Sequence, residues 1–181
     1  MKLNELKDKV YENAVEHGWH DQDYDRKHWL CLVIAELMEA VEADRIGKYA
    51  DRSQFENYMS MKERSDDEFI YAFKHGIKDT VEDELADACI RLLDFAGVEE
   101  DTLEEIDEHC VKKDYSNEPF TESIFDMVNA VTDYWQHFNI SLIINRIFAF
   151  CRSRNIDIEW HICQKMRYNR HRPYKHGNKK Y

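Results

Sequence analysis

Glycine and proline are nearly absent from this chain: five glycines and two prolines in 181 residues. So little turn and breaker chemistry argues against a fold of many short strands, and no stretch shows the Val/Ile alternation of a strand. The longest apolar run, near Leu142–Phe150, is interrupted by Asn145 and Arg146 and falls far short of a membrane span. No signal peptide is visible, because the N-terminus MKLNELKDKV is charged and amphipathic. The five cysteines (Cys31, Cys89, Cys110, Cys151, Cys163) are odd in number and never in C-x-x-C spacing. They read as small core residues in a reducing compartment, and the expected location is the cytoplasm. A net charge of −12 makes the surface as a whole a poor nucleic-acid platform. Repeats and low-complexity segments are missing too, so the expectation is one domain over residues 1–181.

What is present is helix-forming, and two acidic pairs stand out. In Asp79–Asp94 (DTVEDELADACIRLLD), Glu84 and Asp87 are three apart and share a helix face that Arg91 and Asp94 continue. Val81, Leu85, Ala88, Cys89 and Leu92 form one apolar stripe, with Ala86, Ile90 and Leu93 beside it, as in a helix packed on several neighbours. Asp79 is the expected N-cap, with Glu82 completing a capping box. Leu30–Arg45 (LCLVIAELMEAVEADR) repeats the design with Glu36 and Glu39. An acidic pair on a helix is most often a solvated face. Two such pairs on two largely apolar helices are costly to bury as bare charges, and a hard divalent cation between them offsets that cost.

The E-x-x-E of Glu36/Glu39, followed by the E-x-x-D of Glu84/Asp87, resembles the MazG-like all-α nucleoside triphosphate pyrophosphohydrolases, and the phrase ELADACIRLLD is similar to that family's second metal helix. A later K-x-x-x-N-x-x-R (Lys165, Asn169, Arg172) and the tail YNRHRPYKHGNKKY agree with it. The resemblance covers Trp29–Arg45, Lys78–Gly97 and Lys165–Tyr181, and departs in the long segment between Glu39 and Glu84. It implies an all-α fold with a four-helix core and added helices, and Mg²⁺-dependent cleavage of a nucleoside triphosphate to monophosphate and pyrophosphate. It implies Glu36, Glu39, Glu84 and Asp87 as Mg²⁺ ligands (Mn²⁺ as substitute), with Glu39 or Glu36 doubling as general base. Lys165, Asn169 and Arg172 would hold phosphates, helped by Lys48; Arg91 would lock Asp87; Trp19 or Trp29 would stack on a base. In the basic tail, about 173–181, the lysines beyond Tyr174 are expected to order over bound nucleotide and to lie loose without it. The rival reading is a non-catalytic acidic helical scaffold with a basic anion- or RNA-binding tail.

In chain order the periodicity predicts helices at Leu3–Glu16, stopped by Gly18, and at about His28–Gly47 after a polar aromatic connector, Trp19–Asp25. Two short helices are expected around Phe55–Met59 and Phe69–Phe73, with an N-cap region at Ser65–Asp67. The second acidic helix should span about Thr80–Ala96 and end at Gly97. Val98–Glu118 is an acidic connector with a helical turn or two around Leu103–His109. A helix beginning at Asn117–Pro119 should bury Phe120, Ile124, Met127, Val128, Val131 and Trp135. Another, Ile140–Ser153, follows an Asn139 cap, and a last one runs from an Asp157 cap to before Pro173. The apolar faces of Phe120–Trp135 and Ile140–Phe150 look wider than one chain can cover, so a homodimer or larger assembly is expected.

Overall fold

The computed structural model describes residues 2–61, 64–104, 106, 113–137 and 139–180, with the side chains of 134–137 and 178 set aside. The described residues are all-α: α1 (Leu3–Glu16), α2 (Arg26–Arg45), α3 (Arg52–Ser60), α4 (Asp66–Gly76), α5 (Val81–Val98), α6 (Phe120–His137), α7 (Ile140–Ser153), α8 (Ile158–Arg170) and a single turn, α9 (Lys175–Asn178). No strand occurs among them.

Helix α5 is the axis of the molecule, packed by α1, α2, α7 and α8. Its two neighbouring apolar stripes explain why: Leu85, Ala86, Ala88, Cys89, Leu92 and Leu93 are all buried, so apolar positions run most of the way round. Helix α6 leans on α2 and α7. A satellite core forms where α3 and α4 meet α8, with Phe55, Phe69, Phe73 and Ile77 closing on Tyr168. The long insert between the acidic pairs therefore braces α8, which carries Lys165 and Asn169. Ser65 caps α4 in a complete capping box with Glu68.

Three expectations need correction. The N-cap of α5 is Thr80, whose Oγ1 accepts from Asp83 N–H at 3.3 Å and donates to Ile77 O at 2.7 Å. Asp79 stands outside the helix at φ 59°, a left-handed position that aspartate tolerates better than most residues. Gly97 does not end α5. It lies inside it, where a side-chain Cβ would sit 2.6 Å from Cδ2 and 2.8 Å from Cβ of Tyr11 on α1. Glycine is there for close helix contact, so Gly97→Ala should destabilise by about 1–3 kcal/mol through overpacking, more than the about 1 kcal/mol of helix propensity it gains. A urea midpoint equal to or above wild type would refute this.

The apolar face of α7 is the third. Ile140, Ile143, Ile144, Ile147, Phe148 and Phe150 are buried within the chain itself, against α5, α6 and α8. Of the large apolar side chains described on α6 and α7, Phe125 and Leu142 remain exposed. That removes the main argument for an assembly. Trp135 and Cys110 lie outside the described side chains. Cys89 and Cys151 are buried as expected, whereas Cys31 and Cys163 are exposed. No described helix is long and apolar enough to cross a membrane.

Candidate metal centre

Three carboxylates from two helices converge where α2 crosses α5. Glu36 and Glu39 of α2 and Glu84 of α5 each place one oxygen within 4.8 Å of the others. Glu36 and Glu84 are buried and Glu39 is exposed. Glu84 also sits in the first turn of α5, where the positive end of the helix dipole favours negative charge. Oxygen-only donors with an open side suit a hard divalent cation that keeps part of its water or phosphate coordination.

Asp87, expected as the fourth ligand, is engaged elsewhere. Lys165 Nζ lies 2.7 Å from both Asp87 Oδ2 and Asp83 Oδ2, so α5 and α8 are joined by a buried triad. Lys165 is 3% exposed, a brace between helices rather than a cation open to a ligand. Asp83 forms a second acidic group with Asp79 and Glu84. Its Oδ2 already accepts from Lys165 and from Asp79 N–H at 2.9 Å. Asp83 carries a sequence signal in its i, i+4 spacing to Asp87, which sets the two carboxylates on one helix face just as the i, i+3 spacing sets Glu84 with Asp87.

Arg91 does not turn back along its own helix to bond Asp87. Its Nε–H donates across to Glu36 Oε1 at 3.0 Å, steadying that carboxylate on the facing helix. Lys48 is exposed, with Nζ 3.6 Å from Asp79 Oδ2. Further along α5, His20 Nε2 lies 2.9 Å from the buried Asp94 Oδ1. Trp29 is buried with His20 stacked on it at 5.2 Å, so that ring face is occupied.

A small cavity of 60 Å³ opens along α5 at Asp87, Arg91 and Asp94 rather than at the three converging carboxylates, and Trp19, Asn169, Arg172 and His176 help to wall it. Asn169 Oδ1 is buried without a hydrogen-bond partner. The tail forms one wall. Lys175 N–H donates to His17 O at 2.9 Å, the Tyr174 hydroxyl donates to Asp21, and the His176 ring stands edge-on to Trp19 at 4.9 Å. Gly18, at φ 77°, leaves room for the Tyr174 ring. The tail through Lys175 and His176 is thus docked on the end of α1 rather than loose, and His176 packs against Trp19.

Burial first, and then the Asp87 charge, push the Glu84 carboxyl up to about 8. Burial, again with Asp87, pushes Glu36 up to about 7, against the pull of Arg91. The folded protein therefore keeps protons that an unfolded chain releases near the ordinary value of 4.5. Proton linkage then makes metal-free stability fall as pH rises from about 5 to 8. Glu84→Gln cannot titrate there, so with chelator present its melting temperature should gain on wild type between pH 5 and pH 8. A gap that stays constant with pH would exclude a strained, protonated Glu84.

No protein-family model, curated protein or solved structure matches the chain. The MazG-like resemblance rests on the motif residues of this sequence alone.

Proposed function

We propose that the chain is a Mg²⁺-dependent nucleoside triphosphate pyrophosphohydrolase that cleaves between the α- and β-phosphorus, with Mn²⁺ as a substitute metal. The observation that carries this reading is the convergence of Glu36, Glu39 and Glu84 from two helices, linked through the Arg91–Glu36 hydrogen bond to a cavity that Arg91 lines with Trp19, Asn169 and Arg172. The donor set fits a hard cation, with Glu36, Glu39 and Glu84 as its ligands. When bound, the cation would neutralise phosphate oxygens and acidify a water.

The chain's own residues divide the remaining work. Glu39 is exposed, whereas Glu36 already accepts from Arg91, so Glu39 is better placed to take the proton of the attacking water. Arg172, half-buried on the cavity wall, would meet the departing phosphates. Asn169 offers its unpartnered Oδ1 to a sugar or base donor, and Trp19 offers ring surface to the base. The cavity is smaller than a nucleotide, since sites for such ligands usually span about 300–1,000 Å³. His176 and the α9 turn must therefore swing away on binding.

The scaffold reading, with its basic anion- or RNA-binding tail, gains from one observation: Lys165 is committed to two aspartates instead of being open to phosphate. A pyrophosphate-release assay over a panel of ribo- and deoxynucleoside triphosphates decides. Release should require Mg²⁺ or Mn²⁺ and stop with chelator. No release from any nucleotide with either metal would leave the scaffold.

A further inference from the structure

A second cavity, of 370 Å³, lies apart from the acidic centre, where the starts of α3, α5 and α6 meet the α7–α8 turn. Tyr49, Arg52, Glu82, Arg154, Asp157 and His161 line it, among others. Most of its polar groups are already satisfied. Arg52 donates to Glu56 and Asp157 at 2.8 Å each, and Asp157 also caps α8. Glu82 accepts from Ala50 N–H at 2.9 Å, and Tyr49 donates to Asp44.

Two groups are not. His161 is 4% exposed, and its Nδ1 has no hydrogen-bond partner. Arg154 Nε is buried without one either. The Arg154 guanidinium donates through Nη2 to Glu118 O at 2.7 Å and lies 4.7 Å over the Phe150 ring, but pairs with no carboxylate among the described residues. A partly buried guanidinium without a counter-ion and a buried imidazole nitrogen without a partner both cost stability. Both residues line the cavity, and rotation of each side chain would turn these atoms into it; an unsatisfied buried group calls for an explanation of this kind.

We propose that this cavity binds a small oxyanion, the phosphate or carboxylate group of a compact metabolite, through Arg154 Nε–H and His161 Nδ1–H. An anionic oxygen supplies the counter-charge Arg154 lacks and accepts both donors, and charge-assisted bonds of this kind are the strong ones. The volume falls in the range of small-molecule sites. The site does not depend on the hydrolase reading, because none of its residues belongs to the metal centre.

The test uses the full chain with chelator, inorganic phosphate and malonate as separate probes, and sodium chloride to hold ionic strength constant. The His161 imidazole is followed by ¹H–¹⁵N correlation, its signal identified by its loss in His161→Phe. At least one probe should shift that signal saturably, with a dissociation constant on the order of millimolar or tighter. Phosphate alone saturating assigns a phosphate ligand, and malonate alone a carboxylate. Arg154→Gln should weaken binding on the order of tenfold or more. Arg154→Lys keeps the charge but loses Nε–H, and should bind at an intermediate level; it carries the comparison if the glutamine variant does not fold. Saturation by neither probe, or wild-type binding by a folded Arg154 variant, would overturn the proposal.

Discussion

Lys165→Ala should cost about 3–5 kcal/mol of folding stability, the usual penalty for removing one partner from a buried ion pair. For a chain of this length that lowers the melting temperature by roughly 2–4 °C per kcal/mol. The reason is local. The Lys165 side chain is 4% exposed and that of Asp83 0%, and both Asp83 and Asp87 depend on the same ammonium. Burial alone pulls Lys165 down, but the charges of Asp87 and Asp83 outweigh it and hold the ammonium above its ordinary value. Burial pushes Asp83 up to about 6, opposed by Lys165 and reinforced by Asp87, so without the lysine two carboxylates would confront each other on adjacent turns. The double variant Asp83→Asn/Lys165→Met should recover part of the loss, because it removes the fully buried carboxylate together with the lysine and leaves unpaired only Asp87, whose side chain is 19% exposed. Thermal melts of the single and double variants check this, and a Lys165→Ala protein that melts with wild type would sink it. The double variant also separates two roles. If Lys165 is a brace, turnover returns with stability; if it grips phosphate, kcat/KM stays depressed.

The other large effect is on turnover. Glu84→Gln and Glu36→Gln should each lower Mg²⁺-dependent pyrophosphate release about a hundredfold or more, since metal stabilisation of transition-state charge is worth several kcal/mol. Both variants should remain folded, because each removes a carboxyl that burial and Asp87 make costly to ionise. Asp87→Asn is the discriminating case. Its carboxylate is bonded to Lys165 and stands outside the converging triplet, so its loss should affect melting more than the Mg²⁺ concentration at half-maximal rate. If Asp87→Asn weakens Mg²⁺ dependence as strongly as Glu84→Gln, all four acids are ligands. If Glu84→Gln keeps wild-type turnover, the metal centre is elsewhere.

Much of the helical layout was legible because helix signals are local. Leu3, Leu6, Val10 and Ala14 mark α1, Asn139 and Asp157 are the caps expected of α7 and α8, and a scarcity of glycine and proline leaves an all-α class. The two acidic pairs were legible for the same reason: three-residue spacing puts Glu36 with Glu39 and Glu84 with Asp87 on one face each. Local spacing also misled. Thr80 displaces Asp79 as the cap because the chain leaves α4 through a tight turn with Asp79 in the left-handed region. Gly97 stays inside α5 because Tyr11 packs on it.

What a carboxylate faces across a helix interface has no periodicity along the chain. Only the packing of α5 against α8 assigns Asp87 to Lys165, and only the crossing of α2 and α5 gives Glu36 to Arg91 and brings Glu39 to Glu84. Likewise, the long insert becomes a brace for α8 only once Phe73 stacks on Tyr168 at 4.5 Å. By itself the sequence determined the helices and the faces that carry charge, because both follow from neighbours three and four residues apart. The tertiary structure decided which charges meet, because partners 48 residues apart, as Glu36 and Glu84 are, are chosen by the shape of the core between them.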